Sequence, residues 1–273
     1  MLNIRSIVSQ TGLYNFHSHT QFCDGRDVME NFVKSAISLG YLHYGFSPHA
    51  PIAVESACNM SKEDVPVYLA EVKRLQSLYG DIISLYASME IDYLNDECSP
   101  SAEYYQQLPL DYRIGSVHFV PTRSGEYIDC DGRFERFKTK MDAYFEGDIE
   151  YVVRTFYAQS LRMIEGGGFD IIGHFDKIGL NASLYHPGIE DEPFYSRLVS
   201  DTLDAILDHN LLVEVNTKSV RQYGRTFPHE RYYRWLSERN AIVVVNSDAH
   251  YPDLIDASRE QVIKQLRANR VNV

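Results

Sequence analysis

The chain has 273 residues, a length that fits one large α/β domain or two small ones. Hydrophobic residues make up 44% and charged residues 23%, the balance of a folded globular protein rather than a disordered one. A formal net charge of -12 argues against a general nucleic-acid binder, which needs a basic face, but leaves a small anionic substrate open because bound metal ions can make a site locally positive.

Strand-like and helix-like segments alternate along the chain, as in an α/β fold with a mostly parallel sheet or barrel. Residues 13–17 read as the first strand and 27–39 as a helix, with Val28, Phe32, Ala36 and Leu39 at helical spacing and Gly40 ending it. A second strand, 43–46, leads into Ser47-Pro48-His49. A helix over 61–79 follows, with Pro66 tolerable only in its first turns. The third strand, 82–91, carries Glu90 near its end. A short helix at 99–107 precedes strand four, 111–117, which delivers His118.

Residues 121–132 read as a loop, and 135–165 as a helix interrupted near Gly147. Gly166-Gly167-Gly168 stops that helix and lets the chain turn into strand five, 169–173, ending at His174. After a loop-like stretch, 177–190, come a helix at 192–210, strand six at 211–215, a helix at 228–239 and strand seven at 241–245. The last strand runs into Asn246-Ser247-Asp248-Ala249-His250, and a helix over 256–266 follows. No linker or internal repeat marks a second domain, so 1–273 is expected to be a single domain. About seven strand–helix units in this length suggest a closed or nearly closed barrel.

Cys23, Cys58, Cys98 and Cys130 form no Cys-x-x-Cys pair, and a chain this size does not need disulfide staples, so a reducing cytoplasm is the expectation. Residues 1–10 lack a sustained apolar core, so no secretory signal is expected, and no apolar run is long enough to span a bilayer. Homo-oligomerisation is left open.

The chemistry lies in where ligand-type residues fall. His17 and His19 end strand one, and in an extended chain alternate side chains share a face. Asp24 lies in the following loop. His49 follows strand two, Glu90 ends strand three, His118 follows strand four, His174 strand five, and Asp248 and His250 strand seven. In parallel α/β folds these C-terminal strand ends meet at one mouth. Six of the ten histidines belong to this set. Nine candidates exceed the roughly four ligands of one zinc ion and suit two or three ions with a bridging carboxylate. All are nitrogen or oxygen donors, which favours zinc, manganese or iron. No Walker-type glycine loop and no Gly-x-Ser-x-Gly elbow offers another route.

The ordered motifs Phe16-His17-Ser18-His19-Thr20, Cys23-Asp24-Gly25, Gly45-Phe46-Ser47-Pro48-His49-Ala50-Pro51 and Glu90-Ile91-Asp92 resemble those of the PHP (polymerase and histidinol phosphatase) superfamily. So do Gly115-Ser116-Val117-His118, Gly173-His174-Phe175-Asp176, Glu214-Val215-Asn216-Thr217 and Ser247-Asp248-Ala249-His250. The match runs from about residue 13 to 265. The segments around His49 and Asn216-Thr217 are most similar to the histidinol-phosphate phosphatase branch. Pro48 and the stretch 121–147, with Tyr127, Arg133, Arg136 and Lys138, depart from the pattern.

The resemblance implies a distorted (β/α)7 barrel with a trinuclear metal site. His17, His19, Glu90 and Asp248 would surround one ion, and Glu90 would bridge to a second held by His118 and His174. Asp24, His49 and His250 would hold the third, with His49 also near substrate. The implied activity is hydrolysis of a small phosphate monoester, with L-histidinol phosphate first and a nucleotide or sugar phosphate as the alternative. An amidohydrolase fits less well, because His118 stands where those sites often use a carboxylated lysine. A non-catalytic PHP module is the reading from another class. Glu90 and Asp248 are the catalytic carboxylates of this reading. Arg221, and after it Lys218, is the expected phosphate contact, because a phosphoryl group wants a guanidinium or ammonium. Asp176 is a further candidate for orienting a ligand or holding a substrate ammonium.

Overall fold

Short parallel strands alternate with helices in the computed structural model, which describes residues 2–273. The strands are β1 (Tyr14–Asn15), β2 (His43–Phe46), β3 (Ser84–Ala87), β4 (Glu90–Asp92), β5 (Ile114–Ser116), β6 (Phe119–Pro121), β7 (Tyr127–Asp129), β8 (Ile171–Ile172), β9 (Leu212–Asn216) and β10 (Val243–Asn246). One parallel sheet runs β1-β2-β3, and a second runs β10-β9-β8-β5-β4. β6 and β7 form a separate antiparallel hairpin.

The expected strand at 82–91 is two strands. It leaves β2 at Ala87 and joins β5 from Glu90, so one segment serves both sheets. Single bridges join the sheets there, His49 to Glu90, and at the other edge, Ser18 to Ala249. At that second edge the His19 N–H donates to the Ala249 carbonyl at 2.8 Å, and the Ser247 N–H donates to Asn15 Oδ1 at 2.9 Å.

Burial follows the periods in the sequence. Helix Met29–Ser38 buries Met29, Phe32, Val33 and Ala36, one stripe at helical spacing. These pack with helix Val65–Tyr79 over β2 and β3. Helices Phe134–Tyr144, Ile149–Gly166 and Pro193–Asp208 cover the larger sheet. Between the sheets lies a third cluster of Tyr14, Phe16, Tyr112, Ile114, Ile171, Leu212 and Val244, closed below by Ile4 and Val8 of helix Ile4–Gln10. Alternation along each strand then places polar groups above that apolar plug. Leu212 is followed on the same face by Glu214 and Asn216, Val244 by Asn246, and Ile114 by Ser116.

Two expected loops are ordered elements. Residues 121–132 contain half of the β6–β7 hairpin, which a two-by-three-residue ladder makes too short to read from alternation. Residues 177–190 contain helix Ile178–Tyr185 and a 3-10 turn at Ile189–Asp191. That helix buries Asn181 and exposes Leu184, so no apolar stripe betrays it. Gly147 does break the long helix, at φ 75° between Tyr144 and Ile149.

Candidate metal centre

The strand ends of both sheets converge on Glu90. Its Oε2 lies 3.2 Å from His17 Nε2, 3.2 Å from His49 Nδ1 and 3.5 Å from His19 Nε2. Its Oε1 lies 2.8 Å from His174 Nε2 and 3.6 Å from His118 Nε2, and accepts a hydrogen bond from Ser116 Oγ at 2.7 Å. Beside this hub, Asp248 Oδ1 lies 3.1 Å from His19 Nε2, 3.5 Å from His250 Nδ1 and 4.0 Å from His17 Nε2. Asp24 approaches His250 Nε2 at 3.2 Å, His19 Nδ1 at 3.5 Å and His49 Nε2 at 3.9 Å.

All nine residues expected as ligands fall into overlapping groups whose donor atoms lie within 4.8 Å of one another. His17, His19 and Glu90 form one group, Glu90, His118 and His174 another, and His19, Asp24, His49 and His250 a third. His17 and His174 also group with Asp248, and Asp92 joins His49 and His118. The donor chemistry fits divalent ions. His17 Nε2, His19 Nε2, His49 Nδ1 and Asp24 Oδ1 are buried with no hydrogen-bond partner, an expensive state that metal ligation relieves. Every donor is nitrogen or oxygen, as zinc, manganese and iron accept.

Backbone geometry serves the same cluster. Gly25 packs its Cα against the His19–Thr20 peptide, where a Cβ would collide, and this brings Asp24 back to the strand. His174 and Asp248 take the left-handed region, at φ 24° and 49°, which costs a non-glycine residue about 1–3 kcal/mol. Each is held from outside. The His174 N–H donates to Glu214 Oε2 at 2.9 Å, and Asn216 Nδ2 donates to Asp248 Oδ2 at 3.1 Å.

Two carboxylates that sequence reasoning did not assign a role complete the arrangement. Glu214 lies 2.6 Å from His17 Nδ1 and also accepts from Asn246 Nδ2 at 2.9 Å. Asp92 lies 2.7 Å from His118 Nδ1. Each orients one ring so that Nε2 faces the cluster and raises its basicity. The signal was available in spacing, since Asp92 lies two residues beyond Glu90 on one strand, and Glu214 two before Asn216.

Electrostatics follow from burial. Burial opposes charge on His17, but Glu214, Glu90 and Asp248 outweigh it and hold its pKa well above the usual value. Burial likewise opposes charge on His118, which Asp92 and Glu90 bring up to about 9. His19 stays low through burial and the neighbouring His250 and His49, and His174 through burial and Lys177. Burial disfavours the Glu90 carboxylate, yet His17, His118 and His49 keep it ionised well below the ordinary range. Asp248 is held low against its burial by Lys218, His17 and His19. Carboxylates bind metal ionised and imidazoles bind it neutral, so a metal ion at His17 and His118 would displace the proton that their carboxylate neighbours favour.

The cluster floors a cavity of about 780 Å³ whose walls include Asp24, His49, His118, Asp131, Lys218, Gln222 and His250. Lys218 reaches the centre, with Nζ 3.2 Å from Asp248 Oδ1 and 3.3 Å from His250 Nε2. Phe119 and Tyr251 also line the wall. Arg221 does not reach it. It is exposed on the single-turn helix Val220–Tyr223, while Lys218 and Gln222 on either side face the cavity. Asp176 also lies elsewhere. It is fully buried away from the cavity lining, where Arg225 Nη2 pairs with it at 3.1 Å and the His229 N–H donates to it at 2.8 Å. Burial, partly offset by Arg225, pushes its pKa up to about 6. Sequence reasoning missed Lys177, whose Nζ pairs with Asp131 at 2.7 Å and lies 3.5 Å from His118 Nε2. The four cysteines are unpaired. No helix among the described residues is long and apolar enough to cross a membrane.

An α/β fold of parallel sheets with a strand-end His/Asp/Glu cluster is the pattern of the PHP domain, and residues 15–218 match that family, so the chain belongs to it. Among its relatives is a probable histidinol-phosphatase from Deinococcus radiodurans, 25% identical over 266 residues and covering 94% of both chains. A probable histidinol-phosphatase from Schizosaccharomyces pombe is 26% identical over 257 residues, covering 86% of this chain and 80% of that one. The fold is similar to the crystal structure of a candidate histidinol phosphatase, HisK, from Listeria monocytogenes, with a TM-score of 0.81 at 20% identity over 91% of this chain and 99% of that one. It is also similar to histidinol phosphate phosphatase from Lactococcus lactis, solved with zinc, L-histidinol and phosphate, with a TM-score of 0.71 at 18% identity over 95% and 94% of the two chains.

Proposed function

We propose that the chain is a metal-dependent histidinol-phosphate phosphatase, converting L-histidinol phosphate and water to L-histidinol and phosphate. The observation that carries this reading is the gathering of nine nitrogen- and oxygen-donor residues, Glu90 among them, with buried donor atoms left unpartnered, at the floor of an open cavity. The names of the Deinococcus and yeast relatives and the ligands of the Lactococcus enzyme supply the substrate. In this reading 1–273 is a single PHP domain. The two sheets are the halves of a distorted seven-stranded barrel, supported by the bridges at both edges and by the apolar cluster between them.

His17, His19, Glu90 and Asp248 would hold one ion, Glu90, His118 and His174 a second, and Asp24, His49 and His250 a third. The ions, two or three in number and zinc, manganese or iron, supply Lewis acidity toward the phosphoryl oxygens and an acidified water. The chain supplies the rest. Glu90 keeps two donor groups at a fixed separation. Glu214 and Asp92 fix the ring faces of His17 and His118. Lys218 brings an ammonium to the cavity side of Asp248 and His250, where it can pair with a phosphoryl oxygen.

Arg133 and Arg136, exposed on the cavity wall, favour keeping a second reading in which the ester carries another anionic group, as nucleotide and sugar phosphates do. A turnover panel separates the two. The metal-loaded protein is expected to show a kcat/KM on L-histidinol phosphate at least about tenfold above that on any nucleotide, sugar or aryl phosphate, the margin a few specific polar contacts provide. Chelation is expected to abolish turnover of all of them. An efficiency on L-histidinol phosphate no better than on generic esters would sink the histidinol assignment.

A further inference from the structure

Lys177 lies on the turn after His174, with its side chain only 10% exposed and its ammonium wedged between Asp131 and His118. Asp131 comes from the loop after the β6–β7 hairpin, and that loop is tied down. Lys140 Nζ donates to the Asp129 carbonyl at 2.6 Å, and Asn181 Nδ2 to the Gly132 carbonyl at 3.2 Å. A long cationic side chain has thus been immobilised, at a cost in rotamer entropy, with its charge 3.5 Å from the His118 nitrogen that faces Glu90.

The placement is unfavourable for a purely structural strut. Any divalent cation held by His118 Nε2 would repel the ammonium beside that nitrogen, and the carboxylate paired with Lys177, Asp131, lines the cavity wall. An anion shared between ammonium and cation reverses the sign of that interaction. An ammonium has three donors; Asp131 takes one, and the Nε2 lone pair of His118 is the one a metal ion would use, so two are left for an anion. Lys218 brings a second ammonium to the cluster, beside Asp248 and His250. Lys177 at His118 and Lys218 at Asp248 and His250 thus bring two ammonium groups to the candidate metal centre.

We propose that Lys177, held by Asp131, is a phosphoryl-binding residue that grips the substrate ester and the product phosphate from the His118 side, alongside Lys218. The proposal rests on the phosphatase reading above and adds a specific oxyanion contact to it. Asp131 acts as a positioning residue, keeping the ammonium aimed while the phosphoryl group is absent.

The test measures binding of inorganic phosphate by calorimetry to the metal-loaded protein, alongside metal content and circular dichroism. Lys177→Met and Lys177→Gln are both made, so that at least one retains fold and metal. In the variant that retains both, phosphate affinity is expected to fall about 10- to 100-fold, the worth of a charge-assisted hydrogen bond. Lys177→Arg is expected to recover much of that affinity. Phosphate affinity within twofold of wild type in a folded, metal-replete variant would overturn the proposal while leaving the phosphatase reading intact. If the metal-loaded wild type bound no phosphate and cleaved no phosphate ester, both would fall.

Discussion

Glu90→Gln should lower turnover by about 10³-fold or more and release at least part of the bound metal, with the fold retained. The substitution keeps volume and leaves an oxygen for Ser116 Oγ, so it opens no cavity of the kind that destabilises cores. What it removes is a negative charge at the one point where His17, His19, His49, His118 and His174 all approach. An amide has one ligating oxygen where the carboxylate has two, so it cannot bridge the two donor groups. Loss of metal-derived charge stabilisation is worth several kcal/mol in the transition state, which is the source of the expected factor. Elemental analysis and turnover on the same sample check it. A variant with wild-type metal content and wild-type turnover would show that Glu90 is not the hub of the site.

Arg225→Met should lower stability by about 3–5 kcal/mol, read as a shift in the urea midpoint. Arg225 is 6% exposed and pairs with Glu190 at 2.8 Å and with Asp176 at 3.1 Å, both themselves buried. Gly179 on helix Ile178–Tyr185 leaves the space its guanidinium occupies. Removing the cation strands two carboxylates in low dielectric, and that penalty exceeds the worth of the ion pairs themselves. Adding Glu190→Gln should recover part of the loss, since one stranded charge is then gone. A single variant as stable as wild type would mean that water reaches this cluster. Because Asp176 sits here and not in the cavity, metal content is expected to be unchanged in both variants.

The clustering of the candidate ligands is legible because each is tied to a local signal. A strand end, a turn after it and a His, Asp or Glu at that position recur along the chain, and parallel topology does the rest. Glu214 and Asp92 were visible as motif letters, but their role depends on which ring nitrogen they meet, a fact of tertiary geometry. The surroundings of Asp176 depend on tertiary geometry in the same way. Its distance from His174 is two residues, yet its partner Arg225 lies 49 residues further on, and nothing local announces that pair. Arg221 failed on phase, since one turn of helix sends it outward while Lys218 and Gln222 face the cavity. Helix Ile178–Tyr185 reads as loop in the sequence because its apolar residues fall on no single face, with Leu184 exposed and Asn181 buried, and Lys177 is lost with it.

The most direct check is to strip the protein of metal, restore zinc, manganese or iron stepwise, and measure bound metal and turnover of L-histidinol phosphate on the same samples. Binding of two or three ions per chain, with turnover appearing only as the shared Glu90 groups fill, is the predicted result. Saturation at a single ion, or full occupancy without hydrolysis of the phosphate ester, would contradict it.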